Sequence, residues 1–254
     1  MQKNNLTPVE KALLIMETLS KSPFEFRSVD VCNLTGINKS TVHRILYKLI
    51  EKNWVIQDKE TRKFKTGPMA YHVGMSYTLN NNSECKILEI LNNLSAEMKE
   101  SVGYAVRDGD KVISLYEIEV HQPYKLNYHP GQFYPMNRGS YGKCLMAYHD
   151  EAEVRKLLSG QKFEKLQPNT LTDPEDILKE YEKIRSQGYV ISDEEMEPFF
   201  IGVGVPVFNR VKRQVEGCIA IAFIEVNPEK KSAKINEFLK ILKEGAEEIS
   251  QCLV

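Results

Sequence analysis

The chain has few cysteines, and none is placed for bridging or metal binding. Cys32, Cys85, Cys144, Cys218 and Cys252 are odd in number and irregularly spaced, form no C-x-x-C pair, and stand at no zinc-ligand spacing with the five histidines. A disulfide framework and a structural zinc module are therefore not expected, and a reducing compartment is. Long apolar runs are also missing. The longest, near Gly217–Ile224, falls far short of the roughly 18 residues that suggest a membrane span. The polar start Met1-Gln2-Lys3-Asn4-Asn5 lacks a secretory core. These absences predict a soluble cytoplasmic protein with no membrane partner. Net charge is nearly absent at −1, and there is no internal repeat or low-complexity tract.

What is present is enough apolar material, 42% of 254 residues, for one large or two modest cored domains. The charge is unevenly spread. Residues 1–66 carry twelve Lys/Arg against seven Asp/Glu, and the remainder 22 against 28. A basic head on an acidic body suggests a polyanion-binding module attached to something else.

The head reads as three helices and a hairpin. Thr7-Pro8 opens the first, with Ala12, Leu13, Ile15, Met16 and Leu19 as its apolar face. A second runs from about Ser28 to Thr35 and stops at Gly36, which supplies a positive φ. Asn38 caps a third, Lys39 to about Lys52, whose stripe is Val42, Ile45, Leu46 and Leu49. Trp54-Val55-Ile56 and Arg62–Thr66 read as strands joined by the polar turn Asp58–Thr61. That order predicts a winged helix-turn-helix over residues 1–67.

Gly67-Pro68 marks a boundary. A linker helix is expected within 68–82, and an α+β domain with an antiparallel sheet over 83–254. Its strand-like runs are Val102–Arg107, Val112–Ile118, Tyr124–Tyr128, Tyr189–Ser192, Ile201–Phe208 and Val215–Ile224. Its helices are Glu84–Lys99, Tyr141–Tyr148, Glu151–Leu158, Pro174–Gln187 and about Ser232–Cys252.

A recognition helix offers its N-terminal half to the major groove. Ser40 is assigned to phosphate, and Thr41 and Arg44 to base edges. His43, Tyr47 and Lys48 fall to backbone or flanking bases, with Asn38 and Lys39 at the helix start. Lys59, Arg62 and Lys63 on the wing, and Arg27 before the second helix, are set to meet phosphates. Double-stranded operator DNA is the partner this face predicts.

At these residues the sequence resembles the isocitrate lyase regulator (IclR) family. The segments are Val9–Leu19, Asp30–Leu34, Gly36-Ile37, Lys39–Leu46 and Phe64–Gly67. The likeness continues through Pro135-Met136, Gly142–Ala147, Gly188–Glu195 and Val205–Phe208, in order along nearly the whole chain. It implies a GAF-like effector-binding domain, a homodimer or homotetramer, a roughly palindromic operator and, in the family's commoner mode, repression. It also implies a pocket in which Ser140 and Tyr141 offer backbone amides, with Ser192, Gly202, Ala220 and Ala222 as further lining.

The loop Asn137–Gly142 is not a Walker A motif, because Cys144 follows Lys143. Its glycines still suit an anion at a helix N-terminus, with Gly139 in the turn. Gly and Ala at three of the mapped positions leave volume. They predict a larger or less polar effector, aromatic or sugar-derived and anionic, with Arg138, His129 or Tyr128 supplying polarity. Asp193, Glu194 and Glu195 read as a solvated turn. A GAF-like enzyme using Cys144 or Cys218 is the alternative, as is a protein-interaction module. The enzyme has no catalytic constellation in its favour, and the basic wing with the Ser40-Thr41…Arg44 face argues against the interaction module; no cofactor or metal is implied, and both cysteines read as packed thiols.

Overall fold

The computed structural model describes residues 6–79, 84–120 and 129–253. It divides into two compact units, Met1–Asn81 and Asn82–Val254, so the helix expected as a linker groups with the first.

In the first unit α1 (Pro8–Leu19), α2 (Ser28–Thr35) and α3 (Lys39–Glu51) precede β1 (Val55–Gln57), β2 (Phe64–Thr66) and α4 (Pro68–Leu79). The ends of these helices are written in side chains. Glu10 Oε2 accepts from the Thr7 amide at 2.7 Å while Thr7 Oγ1 accepts from the Glu10 amide at 3.3 Å, a capping box that starts α1. Gly36, at φ 71°, ends α2 by donating to Cys32 O. Asn38 Oδ1 accepts from the Thr41 amide at 2.9 Å and starts α3. Ile15, Leu19, Val31, Val42, Leu46, Val55 and Phe64 close a single small core. Paired amides and carbonyls of Phe26 and Phe64, at 3.0 and 2.7 Å, tie the hairpin to that core.

The second unit carries an antiparallel sheet between helices. Its elements are α5 (Glu84–Met98), β3 (Ser101–Asp108), β4 (Lys111–Ile118), β5 (Phe133–Tyr134), α6 (Ser140–Ala147), α7 (Glu151–Ser159), α8 (Pro174–Gln187), β6 (Val190–Asp193), β7 (Phe200–Asn209), β8 (Gln214–Ile224) and α9 (Pro228–Cys252). The strand order is β5-β4-β3-β8-β7-β6. Side chains alternate between faces with period two, and the two faces differ sharply in size. One presents Val102, Tyr104, Ile201, Val203, Ile219, Ile221 and Phe223 to α5 and α9. The other is built of small residues in cross-strand rows. One row is Ser192–Gly202–Ala222–Ser101, and the next is Val190–Gly204–Ala220–Gly103–Glu117.

α9 begins at Pro228, behind the cap Asn227, rather than at about Ser232, and other features also depart from the expectation. The short strand β5, paired with β4 through Tyr134 and Phe133, was not anticipated, because two residues carry no periodicity. Glu195 is buried rather than part of a solvated turn, because a lysine from α6 meets it. The run expected at Tyr124–Tyr128 lies outside the described residues.

Candidate functional site

The first unit turns one polar helix face outward. Val42 and Leu46 of α3 are fully buried, whereas Ser40, Arg44, Tyr47 and Lys48 are exposed and follow helical spacing on the opposite side. Lys39 is exposed at the first turn and Thr41 is half-buried. Asn38 is occupied as a cap, since its Oδ1 also accepts from Ser40 Oγ at 2.9 Å. His43 is half-buried beside Tyr47, ring centroids 6.2 Å apart, with Nε2 covered by protein, so its ring is not on the exposed face. Lys48 pairs with Glu51 at 2.8 Å on the surface.

The wing turn is set by Asp58, whose Oδ1 accepts from the amides of Glu60 and Thr61 and from Thr61 Oγ1. The hydrogen bonds from Thr61 hold this carboxyl below its ordinary range. Lys59 and Arg62 are exposed at the tip, and Arg27 is exposed at the start of α2. Lys63 has a partner that the sequence reading did not foresee. Its ammonium meets Glu25 at 2.7 Å, which offsets its charge.

The second unit contains a small cleft, with about 20 Å³ open to water-sized groups. That is about the space of a bound water and far below the roughly 300–1,000 Å³ usual for small-molecule sites, so a ligand here has to displace part of the lining. Gly139, Ser140, Tyr141, Ala220 and Ala222 line it, joined by Glu117, Tyr134 and Met196. The small-residue rows explain its position, because they let the N-terminus of α6 approach the sheet. A Cβ on Gly204 would stand 3.2 Å from Ser140 Cβ, and one on Gly202 would stand 3.1 Å from Ser140 Oγ. Gly202 therefore opens no volume to a ligand, since Ser140 and Ser192 already fill the space it leaves.

Ser192 is buried behind the cleft, donating to Glu195 Oε2 at 2.9 Å. His129 is exposed with Nδ1 near Pro130 O, and Arg138 reaches Glu164 O; neither lines the cleft. Tyr128 lies outside the described residues. No lysine or arginine is among the described residues of the lining.

The start of α6 is held from several sides. Gly139 has φ 75°, a conformation that favours glycine, and gives α6 no side-chain cap. Its amide donates to Glu195 Oε2 at 2.9 Å. Glu195 is fixed in turn by Lys143, whose ammonium is 1% exposed and also meets Glu180 Oε1 and Ile191 O, each at 3.0 Å. Tyr181 OH donates to Met136 O at 2.6 Å and pins the preceding loop. Cys144 and Cys218 are fully buried, and burial, with Cys144 alongside, pushes the Cys218 thiol well up, the reverse of an activated nucleophile.

Glu117 was not singled out in the sequence. A lone carboxylate in the apolar run Val112–Ile118 was the available signal, but only strand register places it on the cleft side. Burial pushes its carboxyl up to about 7 from an ordinary 4.5, against hydrogen bonds from Ser114, Tyr141 and Tyr134 that favour the anion. Between those values the folded chain binds a proton that the unfolded chain has released. Stability therefore falls as pH rises from 4.5 to about 7 and stays lowered above. Glu117→Gln is expected to stabilise the unit by about 2–3 kcal/mol at pH 8 and to change little at pH 4. Denaturant melts at the two pH values check this; equal effects at both would contradict it.

A winged-helix unit followed in one chain by a sheet unit with a cleft lined by small residues is the build of a transcription regulator. The family model "IclR helix-turn-helix domain" matches residues 8–59, and "Bacterial transcriptional regulator IclR C-terminal" matches residues 78–251. The chain belongs to the IclR family and is a DNA-binding transcriptional regulator rather than an enzyme.

Among its relatives, XynR of Escherichia coli is 26% identical over 96% of each chain. KdgR of the same organism is 25% identical over 98% of this chain and 93% of its own. Among solved structures, an IclR regulator of Alicyclobacillus acidocaldarius superposes with TM-score 0.80 at 24% identity, covering 98% of this chain and 100% of that one. An IclR homolog of Microbacterium hydrocarbonoxydans, described as complexed with 4-hydroxybenzoate, gives 0.79 at 19% identity, covering 97% and 99%. Among the described residues, no helix is long and apolar enough to cross a membrane.

Proposed function

We propose that this regulator reads operator DNA in the cytoplasm with the exposed face of α3 and represses until a small molecule occupies the cleft. The observation that carries the DNA half is the row Ser40, Arg44, Tyr47 and Lys48, exposed opposite a buried stripe on a capped helix. Arg44 takes a guanine edge, Ser40 and Lys48 take phosphates, and Lys59, Arg62 and Arg27 add backbone contacts. The effector is a hydroxylated monoacid, aromatic or sugar-derived. Its carboxylate faces the Ser140 and Tyr141 amides at the start of α6, where the helix dipole favours an anion. The 4-hydroxybenzoate named for the Microbacterium homolog is of this type.

Binding to duplex from the gene's own upstream region, measured across a salt series, tests the DNA half. Log affinity should fall against log salt with a slope of about −0.9 per phosphate contact. A flat response would favour a protein-interaction module.

Self-association belongs to the same reading. Tyr71 and Val73 of α4 are exposed, as are Val9 and Leu13 of α1 in the same unit. Apolar surface left open on two helices suits burial against a second copy, giving a two-fold dimer, or a tetramer of two such dimers, on a palindromic operator. Tyr71→Glu with Val73→Glu is expected to halve the mass read by light scattering. An unchanged mass would place the interface elsewhere.

A further inference from the structure

Among the described residues, Glu117 is the charged member of a lining otherwise made of small, apolar, hydroxyl and tyrosine side chains. Burying a carboxylate with no cation beside it is unfavourable, and a glutamine or leucine would suit folding better. Such local conflicts gather at functional positions.

The neighbourhood is arranged around this carboxylate. Register sets Gly103 directly across from it on β3. A Cβ at Gly103 would collide with both Glu117 Oε2 and Tyr141 OH, so the missing side chain is what admits the pair. Ser114 Oγ donates to Oε1 at 2.6 Å. The tyrosine contacts are long, Tyr134 to Oε1 at 3.4 Å and Tyr141 to Oε2 at 3.3 Å, against a usual O–H···O separation of about 2.7–2.8 Å. A carboxylate can accept around four hydrogen bonds, so Glu117 has capacity for a closer donor.

We infer that Glu117 sets the specificity of the cleft: it selects an effector that presents a hydroxyl at this end and excludes one that presents a second carboxylate there. The inference rests on the cleft being the effector site. A hydroxyl donates to Oε2 where Tyr141 now reaches only weakly. A second carboxylate would face Glu117 with no basic side chain among the described lining residues to separate the charges.

Calorimetric titration of the full chain at about pH 8.5, where Glu117 is ionised, with two matched series tests this: 4-hydroxybenzoate, benzoate and terephthalate, then gluconate, hexanoate and glucarate. In at least one series the hydroxylated monoacid should bind roughly ten- to a hundred-fold tighter than its unhydroxylated counterpart. Glu117→Leu should erase that ratio. Glu117→Gln, which keeps an acceptor and loses the charge, should retain the hydroxylated ligand within a few-fold and gain affinity for the diacid.

A ratio unchanged in Glu117→Leu, or a diacid or unhydroxylated acid preferred by the wild-type chain, would overturn the inference and leave the effector site standing. Binding of neither series would overturn the cleft as an acid-binding effector site, and the inference with it. The salt series on operator DNA judges the DNA half separately.

Discussion

Lys143→Met is expected to lower the stability of the sheet unit by about 3–5 kcal/mol, the loss typical when one partner of a buried ion pair is removed. The ammonium is 1% exposed and serves two carboxylates, Glu180 and Glu195, and the Ile191 carbonyl. Glu180 lies near the surface, within 3.9 Å of Lys183, and can turn outward. Glu195 is 6% exposed and has nowhere to turn. Without Lys143 it keeps hydrogen bonds from Ser192 and the Gly139 amide but no opposing charge. Adding Glu195→Gln removes the stranded charge, so the double variant should lose less than the sum of the single losses. Denaturant unfolding of the four chains measures this. Additive losses, or a single loss under about 1 kcal/mol, would mean that Lys143 is not what keeps Glu195 buried.

Arg44→Ala is expected to weaken binding to the upstream fragment by about 1–3 kcal/mol and to flatten its preference among sequences, as loss of a bidentate base contact does. Arg44 is exposed on α3, one turn beyond Ser40 on the same side. Lys63→Ala is expected to do much less than a wing lysine ordinarily would, because Glu25 already offsets its charge. Lys59→Ala should weaken all sequences alike and reduce the salt slope by about one contact. Fluorescence anisotropy on specific and scrambled duplexes separates these effects. A uniform loss for Arg44→Ala would reassign Arg44 to phosphate.

The elements of the first unit were legible because their signals are local. Thr7 with Glu10, Gly36 and Asn38 act within a few residues of themselves, and the stripe Val42–Leu46–Leu49 needs no partner to be read. The bounds of α8 were readable for the same reason, with Asp173 and Pro174 at one end and Gly188 at the other. The cleft was only half legible. Its helix N-terminus showed in Gly139–Tyr141, and Ala220 and Ala222 entered through the family resemblance.

Glu117, Gly202 and Glu195 were misplaced or missed because their roles depend on residues far along the chain. Gly103 makes room for Glu117, Ser140 fills the space at Gly202, and Lys143 buries Glu195. Cross-strand register and helix approach decide such pairings, and neither has a signature in local composition. Lys63 shows the same limit on the wing, since its partner Glu25 lies 38 residues away.

Methylation interference on the upstream duplex tests the major-groove placement of α3 most directly. Guanine N7 methylation blocks the acceptor that Arg44 would use. That placement predicts interference at guanines in two half-sites about one helical turn apart, present with the wild-type chain and lost at the same guanines with Arg44→Ala. Interference confined to minor-groove adenine N3, or guanine interference unchanged by Arg44→Ala, would contradict it.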